Sequence, residues 1–219
     1  MLSALTILTM RIEKVAAQPD RAGRYTVKLE DGSTLRLYRQ TVEDFCIYAG
    51  KEMEDDELNR LQIAEEEMSA KMRAVRIISA SGVSKGDLER RLIQKGESKQ
   101  NARQAVEWLT ERNLLDDRAT ARQLVQSCIA KGYGPARARQ ALYEKRIPKE
   151  YWDDVLADYP DQTEHILSFL QAKLGSHWEE KDLRRAIDAL LRRGHSYTNI
   201  RKALQLFSAD TDWEEENYG

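Results

Sequence analysis

The spacing of apolar positions changes character about forty residues into the chain. Before that point it alternates: Arg11-Ile12-Glu13-Lys14-Val15, then Tyr25-Thr26-Val27-Lys28-Leu29, then Thr34-Leu35-Arg36-Leu37. A period of two puts one side of each strand on a core. Asp31-Gly32 between the last two runs is a hairpin signal, because Gly accepts the positive φ of such a turn. Residues 19–23 make a looser turn, and a three-stranded antiparallel meander follows. Beyond it the period becomes helical. Thr41 to Ala49 is predicted as a short helix ended near Gly50. Asp55-Asp56 opens a long one, its acids placed where the helix dipole favours them. Leu58, Leu61, Met68, Met72, Val75 and Ile78 form its apolar stripe, interrupted by Glu65.

After Gly82 the pattern repeats. Leu92-Ile93-Gln94-Lys95-Gly96 matches Leu142-Tyr143-Glu144-Lys145-Arg146 and Leu190-Leu191-Arg192-Arg193-Gly194. Downstream, Val106, Leu156 and Leu204 fall in register, as do Ala105, Val155 and Ala203, and Leu109, Tyr159 and Phe207. The period of roughly 48–50 residues suits a three-helix unit that buries its apolar faces against its own helices and its neighbours. The expected fold is mainly α: three tandem three-helix repeats in an elongated, curved array, with a small N-terminal antiparallel β-meander. The expected divisions are 1–52 for the meander and connecting helix, 53–112, 113–159 and 160–207 for the repeats, and 208–219 for an acidic tail.

Charge adds something that the total conceals. The formal net charge is −2, yet residues 82–150 hold fifteen Lys/Arg against nine Asp/Glu, and residues 43–67 hold ten acids against two bases. Cys46 and Cys128 are far apart with no metal-ligand spacing, which fits a reduced cytoplasm better than a disulfide scaffold. The opening MLSALTILTM has no basic start or clear cleavage site, and no later stretch reaches the length of a membrane span. The first nine residues read equally as an upstream start, a disordered lead or an added strand. His165, His177 and His195 are isolated, with no zinc spacing and no nucleophile beside them. No catalytic motif emerges, and no cofactor or metal is expected. Trp108, Trp152 and Trp178 read as packing residues. The acidic end, Asp210 to Glu216 around Trp213, reads as a solvated tail or a decoy for basic residues.

The most specific stretch is the second copy. It runs Leu114-Leu115-Asp116-Asp117-Arg118-Ala119-Thr120-Ala121, then Gly132-Tyr133-Gly134-Pro135-Ala136-Arg137-Ala138-Arg139, and closes with Leu142 to Ile147. Asp116 and Asp117 can cap the next helix. Gly132 and Gly134 flank Tyr133 as a stop and restart, with Pro135 suited to a first turn. The spacing is not that of a phosphate loop. This stretch resembles the RecX family, in which an L-D-D precedes a helix containing Ala, a G-x-G joint follows, and a basic helix ends in a Lys-Gly-Ile-like turn. Leu88, Leu92, Lys95 and Gly96 supply the matching pattern in the first copy, and the resemblance spans roughly residues 58–207. Thr120 stands where an aromatic is common. Arg146 replaces the expected Gly, adding a charge and asking for a different helix stop.

The resemblance implies a regulator that binds along the groove of a RecA–single-stranded DNA filament, touches RecA and DNA, and catalyses nothing. It would restrain RecA's ATPase, strand exchange and stimulated repressor cleavage. A monomeric cytoplasmic protein with no membrane contact is expected. The alternative is a sequence-independent DNA-binding protein acting without RecA. Either way the candidate contacts are basic. Arg90, Arg137, Arg139, Arg185 and Arg192 lie away from the apolar stripes of the middle helices. Lys95, Lys145 and Arg193 end those helices, and Arg146 and Lys149 follow the second. A charged helix face is ordinarily only solvated, but the same placement in three units predicts a shared basic strip for phosphates or an acidic groove.

Overall fold

The computed structural model describes residues 9–175 and 178–209, with side chains described up to residue 207. The chain divides into two compact units. The first takes the chain up to Ser81 together with Leu88–Leu114; the second takes Gly82–Asp87 and the chain from Leu115 onward.

In the first unit, β1 (Thr9–Val15), β2 (Arg24–Leu29), β3 (Thr34–Tyr38) and β4 (Glu52–Glu54) form an antiparallel sheet in the order β3-β2-β1-β4. The meander therefore has a fourth strand. β4 pairs with β1 through Met10↔Met53, and Met53 is fully buried with Ile12, Val27, Leu37 and Leu61. Gly32 takes φ +84° in the hairpin, where the Asp31 carboxylate accepts from the Ser33 N–H at 2.9 Å. The short helix is α1 (Arg39–Asp44), ending earlier than expected. Cys46 reverses the chain at φ +47°, which turns Ile47 into the sheet core.

β4 leads directly into α2 (Asp55–Ala80), whose first turn carries Asp55, Asp56 and Glu57. Leu61 packs on the sheet core, while Ala70 and Ala74 are buried where α2 runs beside α4 (Lys99–Glu111). Ser98 caps α4 by accepting from the Asn101 N–H. Leu88 and Leu92 of α3 (Lys85–Gln94) are fully buried, as are Ala102, Ala105 and Leu109 of α4.

The second unit holds two further helical groups. α5 (Asp117–Ala130), α6 (Pro135–Glu144) and α7 (Trp152–Leu156) pack around Ala121, Val125, Leu142 and Ile147. α8 (Thr163–Leu174), α9 (Glu180–Arg192) and α10 (Tyr197–Ala209) pack around Leu170, Leu174, Leu183, Leu190, Ile200 and Phe207. On α9 the buried Leu183, Ala186 and Leu190 make a narrow stripe, as their spacing of three and four demands. The three tryptophans pack: Trp108 lies under the Arg112 guanidinium, Trp152 donates to the Ile147 carbonyl at 3.0 Å, and Trp178 rests on the α8–α10 core. His177 and the acidic tail lie outside the described residues.

A candidate cationic interface

The middle helices α3, α6 and α9 end in the same way. In each, an N–H reaches back five residues: Glu97 to Leu92 O at 3.1 Å, Ile147 to Leu142 O at 3.0 Å, and His195 to Leu190 O at 3.2 Å. This stop needs a left-handed residue just before that donor. Gly96 at φ +93° and Gly194 at φ +84° supply it freely. Arg146 supplies it at φ +52°, so it uses the same stop as the glycines rather than a different one, at the strain cost of its Cβ.

The carbonyls freed at these ends meet three kinds of donor. Arg193 O accepts from the Gly134 N–H at 2.9 Å, and Gly194 O from the Ala136 N–H at 3.3 Å. The C-terminus of α9 thus abuts the N-terminus of α6, backbone to backbone. A Cβ on Gly134 would lie 2.1 Å from Gly194 O, and one on Gly194 would lie 2.2 Å from Arg137 N. His165 and His195 close the same joint. The His195 Nε2 lies 3.0 Å from Gly132 O, and a Cβ on Gly132 would come within 3.3 Å of the His165 ring. Burial pushes the His195 pKa down, with the Arg193 and His165 charges adding to it.

At the end of α6, the Ser84 hydroxyl donates to Lys145 O while accepting from the Asp87 N–H at 3.0 Å. Asp117 belongs to this joint too. Asp116 caps α5 as expected, accepting from the Arg118 and Ala119 N–H groups, but Asp117 turns away and accepts from the Lys85 N–H at 2.8 Å. Burial raises its pKa, opposed by that backbone bond. At the end of α3, Lys95 O accepts from the Arg73 guanidinium, a side chain of α2.

These surroundings sort the ten candidate cations. Arg137 pairs with Glu144 at 3.2 Å; Gln140 and then Arg137 hold that carboxyl below its usual pKa. Lys145 lies 3.8 Å from the fully buried Asp87, and Arg185 lies 3.6 Å from Asp182. The Arg193 guanidinium covers the Phe169 ring at 4.5 Å. Arg90 is half-buried with its Nε enclosed, instead of standing on a solvated face opposite Leu88 and Leu92. The other five, Lys95, Arg139, Arg146, Lys149 and Arg192, are exposed and form no ion pair among the described residues. Two groups went unnoticed in the sequence. Tyr143, one turn after Arg139, is 66% exposed, and Leu191 holds the same repeat position at 43%. Arg73, Arg76 and Arg91 gather with Lys95 around a cleft. Among the described residues no three His, Cys, Asp or Glu side chains are grouped to hold a metal, and no helix is long and apolar enough to cross a membrane.

The family model for the second three-helix domain of RecX matches residues 116–156, from the Asp116 cap of α5 to the end of α7. Regulatory protein RecX of Chlorobaculum tepidum is 32% identical over 145 residues, covering 63% of this chain and 88% of that one. The chain belongs to the RecX family. Another RecX relative, from Lactobacillus delbrueckii subsp. bulgaricus, is 30% identical over 152 residues, 69% of this chain but only 56% of that longer protein. The RecX of Vibrio parahaemolyticus is 26% identical and matched over 94% of its length. The fold agrees with a solved regulatory protein RecX at TM-score 0.63 and 20% identity, over 90% of this chain and 99% of that one. It also agrees with RecX from Lactobacillus salivarius at TM-score 0.58 and 20% identity, over 67% of this chain and 99% of that one.

Proposed function

We propose that this RecX-family protein regulates RecA, mainly as an inhibitor, by binding the RecA–single-stranded DNA filament. Its ATPase, strand-exchange and coprotease activities in repair and recombination are then restrained, and the protein catalyses nothing of its own. The observation that carries this reading is the likeness, over most of the chain, to proteins named regulatory protein RecX. The exposed cations Lys95, Arg139, Arg146, Lys149 and Arg192 support it, since each offers a charge that folding leaves open to phosphates or carboxylates. Several weak contacts on one chain add through effective concentration. Titration of the protein, at substoichiometric ratios, into RecA hydrolysing ATP on single-stranded DNA is expected to slow hydrolysis. Full RecA activity at saturating, demonstrably bound protein overturns the proposal. The same cations also suit a DNA-binding protein that needs no RecA. Tighter binding to RecA-coated than to naked single-stranded DNA at matched salt favours the filament reading, and equal binding favours the alternative.

A further inference from the structure

An open cleft of about 540 Å³ lies within the first unit, between the last turns of α2 and the end of α3. Four of its lining residues are cations, Arg73, Arg76, Arg91 and Lys95; the others are Ile77, Ala80 and Ser81, and no carboxylate is among them. On α2 the spacing of Arg73, Arg76, Ile77 and Ala80 is that of one helix face, and Lys95, just past the end of α3, lies one turn after Arg91. Like charges at these spacings weakly oppose helix formation, so the gathering is not explained by the stability of the helices. The helix dipole suits Arg91 and Lys95 at the end of α3 but does not explain the arginines of α2. Its effect is confined to the last turn, whereas Arg73 stands seven residues before the end of α2, whose last turn carries no basic residue.

Two of the guanidinium groups are held by bonds within the first unit. Arg73 lies 3.0 Å from the Glu97 carboxylate, whose side chain is 9% exposed, and also donates to Lys95 O. Arg76 donates to the Tyr38 hydroxyl at 2.9 Å and to Met72 O at 3.2 Å. The Lys95 ammonium has no ion-pair partner among the described residues. Planar guanidinium forks fixed in this way match the oxygens of phosphate, and Ile77 with Ala80 offers apolar surface to whatever carries it. The volume lies within the range of ligand sites.

From this we infer that the cleft is a phosphate-binding site, taking the phosphates of a nucleic-acid backbone or of a nucleotide polyphosphate. The probes are a labelled oligo(dT) and ATP, each offered to the full-length protein without RecA, with inorganic phosphate as competitor. The variants are Arg91→Gln with Lys95→Gln, and Lys95→Glu alone, with circular dichroism and thermal melting as folding controls. Lys95→Glu touches no side-chain partner, so it remains informative if the double variant is misfolded. If backbone phosphates occupy the cleft, the oligonucleotide binds several-fold more weakly to the variants. The Lys95→Glu variant's log–log salt slope then becomes shallower, by roughly 0.7 for each single-strand phosphate no longer neutralised. If a nucleotide polyphosphate is the occupant, ATP binding falls in the same variants while oligonucleotide binding does not. Wild type that binds neither probe, or folded variants equal to wild type toward both, overturns the inference. RecA is absent throughout, so this outcome is separate from that of the ATPase titration.

Discussion

The ends of α9 and α3 share a stop and differ in what lies beyond it. At α9 the freed carbonyls meet backbone N–H groups of residues 134 and 136, so closely that two glycines are required. At α3 the carbonyl meets a side chain, and a Cβ on Gly96 would meet nothing within 4 Å. One local motif thus serves as a packed joint in one place and as the rim of an open cationic cleft in another. What decides is the neighbour, since a repeat's end is finished by whichever unit covers it.

The sharpest way to break this comparison is to put the same methyl group at both ends. Gly194→Ala is expected to cost more than about 4 kcal/mol, in the extreme range for single substitutions, because the added Cβ would lie 2.2 Å from Arg137 N and the two backbones must separate. Gly96→Ala adds only the left-handed penalty, about 1–2 kcal/mol. Urea unfolding of both variants is the measurement, and equal losses would mean that the two ends do not differ as described.

The third stop gives a smaller effect of opposite sign. Arg146→Gly relieves the left-handed strain at φ +52° and is expected to stabilise the protein by up to about 1 kcal/mol, partly offset by the greater freedom of Gly when unfolded. The same change removes an exposed cation, so binding to RecA-coated DNA should weaken while the melting temperature rises. A variant that is more stable and binds fully would remove Arg146 from the contact surface.

The smallest effect is a drift of stability with pH at the joint. Burial lowers the His195 pKa below 6.5, so the folded state resists the proton that the unfolded chain accepts. The neutral ring donates through Nε2 to Gly132 O, while the Arg193 charge nearby disfavours a proton on it. This contribution is whole above about pH 6.5 and declines as the pH falls through the unfolded value. Melting curves from about pH 7 to about pH 5 should show an acid loss that His195→Gln reduces. An unchanged slope in that variant would assign the loss to other groups.

Periodicity made much of this architecture legible. The three matched segments beginning at Leu92, Leu142 and Leu190 announced equivalent helices, and these three leading leucines are fully or nearly fully buried. β4 escaped because Glu-Met-Glu is too short to show alternation, and only its pairing with β1 defines it as a strand. Asp117 was read as a cap because the sequence does not show that its carboxylate faces Lys85, 32 positions earlier. The basic strip was legible as residue types but not as free charge. Glu144, Asp87, Asp182 and the Phe169 ring engage four of its cations, and two of these partners, Asp87 and Phe169, come from other helices. The cleft was hidden for a simpler reason. Arg73 and Arg76 sit among the apolar positions that defined the α2 stripe, and their meeting with Arg91 and Lys95 is tertiary.

Residue 54 ends β4 and residue 55 begins α2, with nothing between them to bend. The helix then runs 26 residues, about 39 Å at 1.5 Å per residue, before reaching Ala80 at the cleft. Its near end is clamped by Leu61 in the sheet core, and Arg76 ties its far part to Tyr38 of β3. Sheet and helix therefore form a lever without a hinge. Were phosphate held in the cleft as inferred above, a pull on it would be passed along α2 toward the pairing of β4 with β1, where Met53 stands opposite Met10.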